Sequence, residues 1–170
     1  GPGVASVTSG GLVRALGAGS ASILVAVTGL PPVSVPVNVA ADAIAPAVSI
    51  ASPADGAGVE RGDLVGVVVQ ASDGASGVAR TRLDVSGAAA FSEERAIQPP
   101  TPSTSTSFAF SVPVDAPIGG GIDLVAAATD GSGNASSTPV RRLVVVDRTA
   151  PTIVLDTPLP DTQIGLGEVL

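Results

Sequence analysis

The sequence has no cysteine, histidine, lysine, tryptophan, tyrosine or methionine, and its only aromatic side chains are three phenylalanines. Each absence removes a class of chemistry. Without cysteine there is neither a disulfide frame nor a thiolate metal site, and the redox compartment cannot be read from the chain. Without His, Cys, Lys and Tyr the usual general acids, bases and nucleophiles are missing, so an enzyme is not expected. No span approaches the roughly 18 apolar residues needed to cross a bilayer as a helix, and direct membrane insertion is not expected. Positive charge is scarce: the eight cations are all Arg, the net charge is −7 and the pI is about 4.2. Duplex DNA and anionic membranes need a basic surface, so nucleic acid and lipid are excluded as expected partners. An acidic surface suits a soluble, self-repelling extended protein and attracts divalent cations.

What is present points to strands. Hydrophobic residues make up 45% of the chain and aromatics only 2%, so a core must be built mainly from Val, Ala, Ile and Leu. The 21 Gly and 15 Pro interrupt the chain too often for long helices. Val- and Thr-rich runs between them favour strands.

One motif occurs twice. Asp42-Ala-Ile-Ala-Pro46, followed by a short apolar run and Pro53, is matched by Asp147-Arg-Thr-Ala-Pro151, a similar run and Pro158, at an offset of 105 in each case. The correspondence extends to Val59-Glu-Arg-Gly-Asp63 opposite Ile164-Gly-Leu-Gly-Glu168. A fixed offset of that size marks tandem modules of domain length. Each copy reads as a joint: an acidic residue, a stiffening Pro, an apolar strand, a second Pro. The expected organisation is therefore a partial module at 1–42, a complete one at 43–147 and the start of a third at 148–170, cut from a longer protein.

In residues 1–42, Val4–Val7, the turn at Ser9-Gly-Gly11 and Leu12–Leu16 predict a β-hairpin. A strand follows at Ala21–Val27, then one with Val33, Val35, Val37 and Val39 on a single face. Pro36 cannot donate to a ladder and belongs on an edge or at a bulge. Four strands alone expose an apolar face that a partner surface must cover.

In residues 43–147, strands are predicted at about Val48–Ala51, Leu64–Ala71, Val78–Val85, Ser107–Val114, Ile122–Thr129 and Pro139–Val146. Thr81, Leu83 and Val85 share a face with Ala79, and Phe108, Phe110 and Val112 share one with Val114. Leu64–Val69 is apolar on both faces, as for a central strand. Gln98–Ser107, rich in Pro, Ser and Thr, reads as an extended solvated loop. Many short strands at regular spacing predict an all-β fold of antiparallel Ig-like β-sandwich modules in tandem. In residues 148–170 a first strand is expected near Thr152–Leu155 and a second from Val169.

The run from Val4 to Ile23, with Val4-Ala-Ser-Val7, Gly11-Leu-Val13 and Gly17-Ala-Gly-Ser-Ala-Ser-Ile23, closely resembles the second half of a group 2 bacterial immunoglobulin-like (BIG family) module. Ala71-Ser-Asp73 and Asp130-Gly-Ser-Gly-Asn134 are similar to turns in the Ig-like repeats of large bacterial surface proteins. The resemblance implies that 1–42 is the C-terminal half of such a module. It also implies an extracellular or bacterial cell-surface setting, with neighbouring Ig-like modules of the same or an identical chain as partners. The missing Cys and Trp separate the chain from vertebrate Ig domains.

Sandwich topology would bring Asp42, Asp73 and Asp130 to one end, with Asn134 beside them. Hard oxygen ligands at a joint suit Ca2+, which some bacterial adhesins with similar repeats bind there. Asx-turns ahead of glycine account for the same residues with no cofactor required, so both readings stand. Arg61-Gly-Asp63 matches an integrin tripeptide but also fits a turn entering a strand. Asn134-Ala-Ser136 is a glycosylation sequon. Glu93 and Glu94 point to opposite faces of a strand, which is wrong for a paired acid and base. Phe91 is the one aromatic expected at the surface.

The functional expectation is a structural or adhesive stalk segment. Its alternatives are a filament subunit whose incomplete end modules are completed by neighbouring chains, and a module binding a cell-surface protein or glycan.

Overall fold

Val-rich runs of period two, each closed by Gly, Pro or Asp, can bury an apolar face only by pairing into sheets. The computed structural model describes residues 3–154 and Leu166, and among them every regular element is a strand. Two small antiparallel hairpins come first: β1 (Ala5–Val7) with β2 (Val13–Ala15), and β3 (Gly19–Val25) with β4 (Val33–Val39). Gly11, at φ 82°, supplies the left-handed residue that the first hairpin needs to turn. In the second, Ala21 faces Val37, Ile23 faces Val35 and Val25 faces Val33. That apolar face lies open, with Val33 61% exposed. Pro36 sits opposite Ser22 in a strand with only one paired edge among the described residues.

The remaining strands form a two-layer sandwich. They are β5 (Ala47–Ser52), β6 (Gly58–Val59), β7 (Leu64–Ser72), β8 (Val78–Gly87), β9 (Phe91–Thr101), β10 (Ser103–Ser111), β11 (Gly121–Asp130), β12 (Ala135–Ser137) and β13 (Arg141–Val145). One sheet has the order β10-β7-β5. The other runs β6-β13-β11-β8-β9, with β12 paired to β11 beyond β13. All pairings are antiparallel except the two-residue parallel contact of β6 with β13. This is an Ig-like β-sandwich.

Its core is the seam between sheets. Val65, Val67 and Val69 of β7 and Phe108 and Phe110 of β10 meet Leu83 and Val85 of β8, Ile122 and Leu124 of β11, and Leu143 and Val145 of β13. One polar contact crosses it: the hydroxyls of Thr81 and Thr106, both buried, are 3.0 Å apart. The Thr81 hydroxyl donates to that of Thr106, so both buried oxygens have a partner.

Several expectations change. Gln98–Ser107 is no loop: β9 runs through Pro99 and Pro100, and β10 begins at Ser103. The prolines are accommodated because β9 is an edge strand, and its pairing with β8 slips where Ala96 faces Arg80 but Thr101 faces Val78. Val114 does not continue the buried face of Phe110 and Val112; the strand ends at Ser111 and Val114 is 78% exposed. The strand β7 is central in its sheet, yet its outward face is uncovered and Leu64 is 73% exposed. The strand expected at Pro139–Val146 is β13, Arg141–Val145, and it is preceded by a short strand that was not expected, β12, at Ala135–Ser137. Phe91 is half-buried and packs on Phe110, their ring centres 6.3 Å apart. Thr152, Ile153 and Val154 are not in a strand, since a strand exists only against a partner and none pairs with them among the described residues. Leu155, Val169 and the counterpart of the Val59–Asp63 motif lie outside the described residues, apart from Leu166.

Leu124, fully buried at the centre of β11, makes a direct test of this seam. Leu124→Ala should cost about 2–5 kcal/mol in a denaturant titration, with the slope unchanged; a cost below about 0.5 kcal/mol, as for a surface site, would mean the sheets do not pack this way.

Candidate metal centre at the module joint

Two loops close the same end of the sandwich because β7 and β11 both finish there. Asp73 follows β7 and gathers its own loop: Oδ1 accepts the N–H groups of Ala75, Ser76 and Gly77 at 3.1, 2.9 and 2.8 Å. Gly77, at φ 76°, permits the reversal into β8. Asp130, the last residue of β11, does the same: Oδ1 accepts from the N–H of Ser132 at 2.9 Å and of Asn134 at 2.8 Å. The loops touch, with the Gly131 N–H donating to the Gly77 carbonyl at 2.8 Å. A side chain at Gly131 would strike the Ser76 carbonyl, its Cβ 2.7 Å away, so only glycine fits this approach.

The segment from β4 to β5 lies across both loops. The Asp42 Oδ1 accepts from the Ile44 N–H at 3.0 Å, and Oδ2 accepts from the Ser76 hydroxyl at 2.7 Å. Asn134 holds the segment from the other side, its Nδ2 donating to the Asp42 carbonyl at 3.0 Å and to Asp130 Oδ2 at 2.7 Å. The Ser136 hydroxyl donates to the carbonyl of buried Pro46. Pairing of Ala47 with Ser72 then starts β5 at the end of β7, which is why a residue five positions before β5 reaches the Asp73 loop.

The structure thus brings Asp42, Asp73 and Asp130 together, each offering a carboxylate oxygen within 4.8 Å of the other two. Oxygens that share one Ca2+ at about 2.4 Å lie at most about 4.8 Å apart, so the spacing suits such an ion. Asp73 and Asp130 are buried, and no Arg forms an ion pair with any of the three among the described residues. Asp73 Oδ2 has no hydrogen-bond donor among those residues. Asn134 stands beside the cluster but turns its Nδ2 toward it, acting as a donor in this arrangement. Desolvation pushes the Asp130 carboxyl up, but hydrogen bonds from Asn134, Ser76 and the Gly133 N–H outweigh it and hold the group below its ordinary value.

Other singled-out residues sit elsewhere. Arg61-Gly-Asp63 forms the turn into β7: Asp63 Oδ2 accepts the Glu60 N–H at 2.8 Å, and Arg61 Nε donates to the Ala116 carbonyl at 2.6 Å. The sequon residue Asn134 has both hydrogens of its amide nitrogen engaged, and a glycan would replace one of them. Glu93 and Glu94 pair with different partners, Arg95 at 2.7 Å and Arg80 at 3.7 Å. Ser76 and the Ser136 contact with Pro46 were not singled out as joint residues from the sequence. The signal for Ser76 is its place three residues after a turn-forming Asp, where Asx and Ser/Thr turns recur.

No protein-family model matches the chain, and neither does any curated protein. A solved structure of Clostridium thermocellum CbhA fibronectin(III)-like modules is similar at 13% sequence identity with a TM-score of 0.47, covering 79% of this chain and 66% of that one. The chain therefore spans just under two thirds of that structure. A likeness this distant carries no functional information.

The depressed pKa of Asp130 fixes a pH dependence. Its ionised form is favoured in the folded state, so its stabilisation is complete above the unfolded value of about 3.9 and is lost as pH falls through the lower folded value. Thermal melts of wild type and Asp130→Asn should differ most near neutrality, with wild type the more stable, and converge in acid. A variant more stable than wild type at neutral pH would show that repulsion within the cluster outweighs the hydrogen bonds.

Proposed function

We propose that the chain is a stalk segment of a large extracellular bacterial surface protein built from tandem Ig-like β-sandwiches of the BIG family. In this reading residues 1–42 close a group 2 module, 43–147 form one whole module and 148–170 open the next. The task is mechanical: to hold something at a distance from the cell surface without catalysis. The observation that carries the reading is the joint, where Asn134 and Ser76 tie the Asp42 segment to the loops of the sandwich. A linker bonded to the next module bends less than a free one, and stiffness is what a stalk needs. The motif repeats in detail at the far end, where Asp147 Oδ1 accepts the Thr149 N–H at 3.1 Å as Asp42 accepts that of Ile44.

Calcium deepens this reading. Asp42 belongs to the linker while Asp73 and Asp130 belong to the sandwich, so one ion held by all three would crosslink the joint and relieve the repulsion of three uncompensated carboxylates. The open apolar face of β3 and β4 favours a second reading, a filament in which a neighbouring chain completes this half-module.

Small-angle scattering tests the joint. Asn134→Ala should broaden the distribution of interatomic distances; an unaltered distribution removes the stiff-joint reading. Calcium should raise the melting temperature of the wild type over that in chelator, and Asp73→Ala should abolish the difference. Equal melts with calcium and chelator dispose of the ion and leave the hydrogen-bonded joint standing.

A further inference from the structure

The exposed edges of the sandwich are not alike. The strand β6 is two residues long, and β9 carries Glu93, Glu94, Arg95, Pro99 and Pro100. The strand β5 lies between Pro46 and Pro53 and is bulged between Ile50 and Ser52. Short length, charge, proline and bulges are the devices that stop sheet edges from pairing with other chains. The strand β10, Ser103–Ser111, is nine residues long, is paired among the described residues on one side only, by β7, and has none of them.

Charge is distributed the same way. The sheet β10-β7-β5 contains no charged residue in any strand, although the chain carries a net −7. The outer face of the opposite sheet carries Arg82 with Asp84, Arg142 with Asp123, and Arg80 with Glu94. At the corner next to β10, the Arg95 guanidinium lies 5.1 Å from the centre of the Phe108 ring and is neutralised by Glu93 at 2.7 Å. Two copies of this acidic chain repel one another on most approaches, but not when they meet along β10.

We infer that β10 is a self-association edge, pairing antiparallel with β10 of a second copy to join two three-stranded sheets into one of six strands. An antiparallel pair of identical strands is two-fold symmetric, so every N–H to carbonyl bond from one copy is matched by the equivalent bond from the other. Placing the axis at Ser107, the middle of the strand, gives the longest overlap. Ser103, Ser105, Ser107, Ala109 and Ser111 then form one exposed row continuous across both copies. A single strand pair buries little area, so the association is weak and reversible. For a stalk it would align neighbouring molecules side by side, and it does not depend on the stalk reading.

The whole chain, which has no cysteine, gives a clean test. Residues directly opposite in an antiparallel pair have Cβ atoms about 4.5–5.5 Å apart, so Ser107→Cys should crosslink to a dimer under mild oxidation. Ser49→Cys, exposed on the outer face of guarded β5, should not. Sedimentation velocity should show a concentration-dependent dimer that Ser107→Lys abolishes without altering the melting temperature, because it sets two ammonium groups opposite each other. Val35→Ser, on the open face of β4, should leave the dimer intact. A monomer at every concentration overturns the inference, as does a dimer that survives Ser107→Lys or one lost in Val35→Ser.

Discussion

Everything in this fold depends on the seam between two sheets built almost without aromatic side chains. Valine, leucine and isoleucine from β7, β8, β11 and β13 fill it, with Phe108 and Phe110 the only buried rings. Small and β-branched side chains make a thin interior with few rotamers to lose, so register must be held closely for the two faces to interdigitate. The long ladders of β8 with β11 and of β7 with β10 supply that register. Because β7 and β11 end at the same end of the seam, Asp73 and Asp130 arrive there together although far apart in sequence.

At that end, polar chemistry takes over from packing. Each Asp satisfies the N–H groups of its own loop, and Ser76 and Asn134 of those loops donate to the Asp42 segment. Buried backbone donors would otherwise go unmet, so the loops need these carboxylates whether or not an ion joins them. The consequence is an acidic pocket that is locally stable yet uncompensated in charge. The Asp42 segment is thus held to both loops by hydrogen bonds.

The two sheets face outward differently. Surface ion pairs on the β8–β11–β13 face add little stability, but they mark that face as solvated and resistant to sticking. The β10-β7-β5 face carries serine and alanine on β10 and β5 and Leu64, Gly66, Val68 and Gln70 on β7, with no charge in any strand. The charged pairs thus lie on one side of the sandwich, and the strands of the other are neutral.

Period-two patterns in Thr81–Val85 and Ile122–Ala128 made these strands and their buried faces readable from the chain, as did Asp followed by Gly at both loops. Spacing alone showed the repeated motif, and Asp42 and Asp147 each accept the N–H two residues further on. The Pro- and Ser-rich stretch from Gln98 hid the end of β9 and the start of β10, because local composition cannot say whether a proline's missing N–H faces a neighbour or an empty edge. The outer face of Leu64–Val69 looked buried because apolar residues signal burial only when something exists to cover them. By itself the sequence determined strands, turns and the all-β class, which are local consequences of backbone sterics and side-chain periodicity. Only the tertiary structure decided which edges are paired and that Asn134 acts as a donor at the joint, because those depend on which strands lie side by side.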